Sequence, residues 1–167
     1  MNDHRWSVWL MPDQEHSDHY KSIITVLSNK GITKPFLPHV TLFGRIATEP
    51  RPLFSFFNKL AKNNIKISID TLHIKRGTPP WKSLYIQLKI NPHLELLQKE
   101  IDRRLNRFRD YEFDPHLSLA YGNLDVSQEI LDGISLDTTI DFSSVALVYT
   151  SDRIKDWKHI MNFQLKA

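Results

Sequence analysis

Two periodicities alternate along the chain, and the order in which they appear is used twice. Residues 5–11 are aromatic and β-branched and predict a strand that Pro12 ends. A helix should follow: Asp13 is placed to cap it, Tyr20, Ile23, Ile24 and Leu27 fall at helical spacing, and Gly31 stands where a C-terminal glycine belongs. A second strand begins near Phe36. Glu49-Pro50-Arg51-Pro52 then turns the chain into a helix over roughly 53–62, and Ile65, Ile67 and Ile69 alternate as a strand running toward Ile74. Arg76-Gly77-Thr78-Pro79-Pro80-Trp81 reads as a loop. From Ser83 the order restarts, with a strand over 84–90, a helix over 92–109, a strand near His116, a short helix over 128–131, and strands over 139–149 and 159–165.

The restart is a repeat in spacing as well as in order. Trp6 lies 33 positions before His39, and Ser83 lies 33 positions before His116. A duplicated unit accounts for this economically, giving one domain over 1–167 built from two similar lobes, roughly the halves 1–75 and 83–167. A pseudo-twofold axis between such lobes would relate His39 to His116, by analogy with the symmetry of oligomers. No short solenoid repeat and no low-complexity segment is present.

The clearest product of the repeat is one phrase written twice. Phe36-Leu37-Pro38-His39-Val40-Thr41-Leu42 is followed by Gly44, and Phe113-Asp114-Pro115-His116-Leu117-Ser118-Leu119 by Gly122. In a strand, His39 and Thr41 project to one face and Val40 and Leu42 to the other, and His116 and Ser118 separate likewise from Leu117 and Leu119. Each copy is thus a polar pair backed by core. Either motif alone reads most simply as an ordinary strand; duplication explains a shared phenylalanine, proline or leucine but gives no structural reason to keep a histidine.

If the two copies meet, two imidazoles and two hydroxyls surround one pocket. Such a pair can hold one neutral imidazole as base and one imidazolium as acid near neutral pH, which suits attack of water on a phosphate ester. Thr41 and Ser118 can donate hydrogen bonds to the non-bridging oxygens as charge builds there. No metal or cofactor is required, and a cyclic phosphodiester is the natural substrate because ring strain favours opening. The sequence leaves open which histidine is base and which is acid. Removal of either should cost about 10² to 10⁴-fold in turnover with little loss of stability.

Composition narrows the setting. The chain has 167 residues, 41% of them hydrophobic, enough to bury a core in a single domain. A net charge of +3 tolerates a small anionic substrate but falls short of a nucleic-acid-binding surface. With no cysteine, disulfides, thiolate catalysis and cysteine-ligated zinc are excluded. Residues 1–6 carry charge of both signs and run straight into a strand, unlike a secretory leader, and no apolar run reaches membrane-spanning length. A cytoplasmic protein, a monomer by default and with no stable nucleic-acid or membrane partner, is the expectation.

The paired phrases resemble the two signature motifs of the 2H phosphoesterase superfamily. Ser7-Val8-Trp9-Leu10-Met11-Pro12 and the run from Phe113 to Gly122 are similar to its cyclic phosphodiesterase branch over most of the chain. That resemblance implies an α+β fold, bilobal, with antiparallel sheets around a central cleft. It also implies a metal-independent cyclic phosphodiesterase whose substrates are ADP-ribose 1″,2″-cyclic phosphate and nucleoside 2′,3′-cyclic phosphates. Carried over by position, His39 and His116 are the catalytic pair, Thr41 and Ser118 the phosphate ligands, and Tyr121 a pocket residue. The chain departs from some plant members of the branch in having no cysteine to form their disulfides.

Other residues take their roles from context. Trp81, beside Lys82 in a proline-rich loop, is positioned to stack on a nucleobase as part of a lid or else is a partly packed connector residue. Trp9 is expected in the core. Arg103, Arg104, Arg107 and Arg109 suit the exposed end of the long helix. His16 and His19 stand one helical turn apart but offer too few ligands for a metal site; His4, His73, His93 and His159 have no recurring context. Two rival readings remain: a related protein acting on RNA ends, opening terminal 2′,3′-cyclic phosphates or joining tRNA halves, and a non-catalytic module that binds a phosphorylated ligand with the same four residues.

Overall fold

The computed structural model describes residues 4–31 and 34–167; residues 1–3, part of the opening stretch weighed above as a leader, lie outside it. The fold is α+β. Among the described residues the elements are β1 (Trp6–Pro12), α1 (Gln14–Lys30), β2 (Val40–Ile46), α2 (Phe54–Asn63), β3 (Ile67–Arg76), β4 (Leu84–Leu88), α3 (Pro92–Leu105), β5 (His116–Ala120), α4 (Gln128–Asp132), β6 (Thr139–Tyr149) and β7 (Lys158–Gln164). A 3₁₀ turn at Arg51–Leu53 leads into α2. No helix among the described residues is long and apolar enough to cross a membrane.

Local chemistry sets the boundaries. Asp13 caps α1 by accepting the His16 backbone N–H at 3.0 Å, and Asn91 caps α3 by accepting that of Leu94 at 2.9 Å. Tyr20, Ile24 and Leu27 bury one face of α1, with Ile23 at its margin. Gly31 closes the helix, its N–H on the Ser28 carbonyl, but in extended backbone at φ −114° rather than a left-handed turn. The helix expected over 92–109 stops at Leu105, its last buried residue. Beyond it there is no apolar face left to bury: Phe108 is exposed and Arg109 turns away to the Gly44 carbonyl.

The first motif strand starts at Val40 rather than near Phe36. Pro38 has no N–H to give a ladder, and Pro115 delays β5 to His116 in the same way. Each motif histidine therefore sits at the mouth of its strand.

The strands close a ring. All pairings between named strands are antiparallel, in the order β1-β2-β5-β4-β3-β6, and β6 returns to β1. β6 is long enough for two partners on one edge: residues 139–142 pair with β3 and residues 144–149 with β7. The β1–β2 and β6–β1 ladders of one side correspond to the β4–β5 and β3–β4 ladders of the other. The two halves are interleaved, because β3 pairs only with strands of the second half and β6 takes β1 and β3 from the first. Helices cross over as well, α1 lying against β5 and α3 against β2. The core between helices and sheet contains Trp6, Leu10, Ile24, Phe43, Phe57, Ile101, Leu119 and Phe142. Trp6 meets Phe57 edge-on at 6.3 Å and donates its indole N–H to the Thr48 carbonyl at 2.8 Å.

Candidate active site

The ring is thinnest between β2 and β5, which pair through Val40 and Leu117 alone. Val40, Leu42, Leu117 and Leu119 are fully buried in the core. Their neighbours His39, Thr41 and His116 line a cleft of about 300 Å³ on the opposite face, together with Trp81 and Tyr121. Alternation along two adjacent strands is what brings both motif histidines to one cavity. Ser118, expected as a phosphate ligand, is buried and is not among the residues lining the cleft; its hydroxyl is hydrogen-bonded to Tyr121, which does line it.

The two imidazoles are held by the same device. His39 Nδ1 lies 2.7 Å from the Leu37 carbonyl, and His116 Nδ1 lies 2.7 Å from the Asp114 carbonyl, each across the motif proline. A carbonyl only accepts, so Nδ1 carries the proton in both rings and Nε2 is left to the cleft. The neutral ring then has its lone pair on Nε2, and the charged ring has an N–H there.

Their surroundings differ. His39 is 4% exposed and stacks on Trp9, with ring centroids 3.5 Å apart and planes 8° from parallel. Loss of hydration pushes its pKa down to about 3, against the Leu37 carbonyl and with help from nearby His116 and His159. His116 is more open. Burial lowers its pKa too; the Asp114 carbonyl opposes the shift, the Lys82 ammonium adds to it, and the Asp114 carboxylate 3.9 Å away favours the charged ring. Burial works against that carboxylate, yet hydrogen bonds from Lys82 and Gln87 hold its pKa below the usual range.

The burial of His39 corrects one expectation. Truncating it opens a void against Trp9, so His39→Ala should cost stability where His116→Ala should cost little.

An aromatic wall rises beside His39. Tyr121 packs on Phe36 at 4.4 Å and meets Trp81 and Trp157 edge-on, each at 5.7 Å. Trp81 and Trp157 face one another, planes 15° apart and centroids 6.4 Å apart. Trp81 is 40% exposed at the tip of a loop with a cis Pro79-Pro80 bond. Burial pushes the Tyr121 hydroxyl pKa up to about 12, leaving it a neutral donor.

Several cleft residues escaped the sequence reading. Trp157 follows a short turn far from either motif, and Arg45 and Tyr111 flank the motifs without belonging to the repeated phrase. His159, without context in the sequence, meets Trp9 edge-on at 5.8 Å. Trp9 is buried as expected, yet its face is the floor under His39. Arg103, Arg104 and Arg107 are exposed near the end of α3, whereas Arg109 lines the cleft. His16 and His19 turn to separate partners, Asp13 and the Ser135 carbonyl. Asp13, His16 and Asp141 do lie together, but Asp13 is occupied capping α1 and Asp141 accepts from Ser68.

No protein-family model matches the chain. Its fold is shared by solved structures over almost their whole length. TT0787 of Thermus thermophilus superposes with a TM-score of 0.66 at 16% identity, covering 98% of both chains. Escherichia coli LigT in complex with 3′-AMP gives a TM-score of 0.63 at 13% identity, covering 98% of this chain and 99% of LigT. In sequence, a cyclic phosphodiesterase of Arabidopsis thaliana is 24% identical over 153 residues, 89% of this chain and 82% of that protein. The likeness to these solved structures thus extends over the whole described fold.

Proposed function

We propose that this chain is a metal-independent cyclic phosphodiesterase that opens nucleotide-derived cyclic phosphates by two-histidine acid/base catalysis. The observation that carries the reading is the pair of imidazoles pinned through Nδ1 to backbone carbonyls, both lining one cleft. The name of the A. thaliana relative and the binding of 3′-AMP, a nucleoside phosphomonoester, by LigT support it. The substrates we assign are ADP-ribose 1″,2″-cyclic phosphate and nucleoside 2′,3′-cyclic phosphates.

The environments divide the roles. His39, neutral over the working range, takes a proton from water through Nε2, and the water oxygen bonds to phosphorus. The endocyclic P–O bond breaks, and His116 Nε2–H protonates the departing ribose oxygen. The proton gained by His39 and that lost by His116 are then exchanged with solvent, restoring both rings. The dianionic phosphorane is relieved by the Thr41 hydroxyl and by the Tyr121 hydroxyl, which Ser118 orients from the other copy of the motif. Substrate charge next to His116 raises its pKa and readies it as the acid. Trp81 and Trp157 offer faces on which a nucleobase can stack.

The test combines purified protein, EDTA and each cyclic phosphate, with product identity as the readout. Hydrolysis that survives chelation and drops by about 10² to 10⁴-fold in folded His39→Ala and His116→Ala proteins supports the mechanism. Ligand protection without turnover on any substrate would instead identify a binding module.

A further inference from the structure

The cleft has a second, cationic end that the two-histidine chemistry does not use. Arg45 and Arg109 are the only Lys, Arg, Asp or Glu residues among the described residues lining it. Arg45 follows Thr41 by four residues along β2, past Gly44, and Arg109 is bonded to the Gly44 carbonyl, whereas Phe36, Trp157 and Tyr121 cluster around His39.

The backbone is built to bring them there. Val8 pairs with Phe43 but Trp6 pairs with Ile46, so β2 carries one extra residue at Gly44–Arg45. This is a bulge, a device that re-aims side chains beside sites. Arg45 adopts φ 57°, in the left-handed region that non-glycine residues seldom enter, and its N–H leaves the ladder for Ser7 Oγ at 3.0 Å. Ser7 is itself fixed by Thr150 Oγ1 at 2.7 Å. The Gly44 carbonyl freed by the bulge accepts from Arg109 Nη1 at 2.8 Å, and the Arg109 guanidinium lies 5.9 Å from the Tyr111 ring. Asp152 holds Arg45 through one amino group at 2.7 Å. This contact orients the Arg45 guanidinium at the wall of the cleft. Strained backbone maintained beside a cleft points to a job for the side chain it positions.

We infer that Arg45 and Arg109 form a second phosphate subsite, which takes a phosphate on the 5′ side of the ribose whose cyclic ester is opened. The inference rests on the reading above and deepens it. In a nucleoside 2′,3′-cyclic phosphate the base at C1′ and the C5′ group at C4′ leave opposite ends of the ribose, both on the face away from the ring ester. With the base on Trp81 and Trp157 and the ester at the histidines, the 5′-oxygen is directed along β2 to the arginines. The favoured substrates then carry a phosphoryl or diphosphoryl group at that position, and a bare nucleoside cyclic phosphate fills two of three subsites.

The experiment compares uridine 2′,3′-cyclic phosphate with its 5′-phosphorylated form in wild type, Arg45→Gln and Arg109→Gln, using the ratio of the two kcat/KM values within each protein. The ratio cancels any general loss of folded enzyme. We expect a preference of about tenfold or more for the 5′-phosphate in wild type, about 1.4 kcal/mol, falling toward unity in both variants. Equal use of the two by wild type, or a preference that survives both substitutions, overturns the subsite. If neither compound is turned over, the catalytic reading fails separately, and binding decides the subsite. By calorimetry, uridine 3′,5′-bisphosphate should then bind about tenfold tighter than uridine 3′-phosphate to wild type alone, and equal affinities would dismiss it.

Discussion

At the scale of single residues, two chemically identical side chains sit in different surroundings. His39 lies flat on Trp9, shut from water, whereas His116 faces Asp114. In the proposed mechanism the base must be unprotonated and the acid protonated, so the active window would run from the His39 pKa, about 3, up to that of His116, which lies below its ordinary value. The pH profile of kcat/KM should therefore be a bell centred on the acid side of neutrality, since this parameter reports the free enzyme. An optimum well above pH 7 would contradict the assignment. On the same proposal Trp9, stacked on His39, is a positioning residue. Trp9→Ala lets water reach the imidazole, weakens the desolvation, and should move the acid limb to higher pH, a displacement that a merely structural loss would not produce. The same burial makes folding pH-dependent: the unfolded chain binds a proton at His39 below about pH 6.5 that the folded state refuses until about pH 3. Stability should fall with decreasing pH across that window.

At the scale of elements, placement depends on a few backbone devices rather than on propensity. The loop that presents Trp81 is pinned at Gly77, whose N–H meets the Ser83 carbonyl at 3.2 Å, and at Gly122, whose N–H meets the Pro80 carbonyl at 2.7 Å. A Cβ on Gly77 would come within 2.0 Å of the Lys82 carbonyl oxygen, which as backbone cannot move aside. Gly77→Ala should cost about 1 to 3 kcal/mol and raise KM by displacing Trp81. Gly133 is the control: there a Cβ finds nothing closer than 3.5 Å, at the C-cap of α4, and Gly133→Ala should shift the melting temperature little. Thermal melts of both variants, with KM beside them, check the contrast. Elements with strong periodicity or caps were readable in advance, as α1 with Asp13 and the β6 stretch show. What escaped were features set by contacts distant in sequence. The bulge at Gly44–Arg45 depends on Ser7 and Thr150, and α3 stops where its burial ends rather than where its arginines do. The paired histidines were legible because they occur twice in one context; Trp157 and Arg45 occur once each, and only the closed ring brings them to the cleft.

At the scale of the molecule, the ring decides what can exist independently. The cleft lies on one face of the β2–β5 seam, so its two histidines come from different halves of the chain. The halves are equivalent in order yet not separable in pairing. Alone, residues 1–78 would hold β3 without either partner, since β4 and β6 both lie beyond the cut. Residues 79–167 would leave β6 without β1 and β3, a long apolar strand with Ile140, Phe142, Val145 and Leu147 stripped of cover. Helix packing repeats the problem, because α1 covers β5 and α3 covers β2. We therefore expect neither fragment to show a cooperative thermal transition by circular dichroism. Mixing the two should restore both the transition and activity, because the break falls in the Gly77–Ser83 loop rather than in a strand. A fragment that folds cooperatively alone would mean that the lobes are autonomous and that the interleaving adds nothing to stability. Restored activity would carry the further consequence that His39 and His116 need no covalent connection, only the ring that sets β2 beside β5.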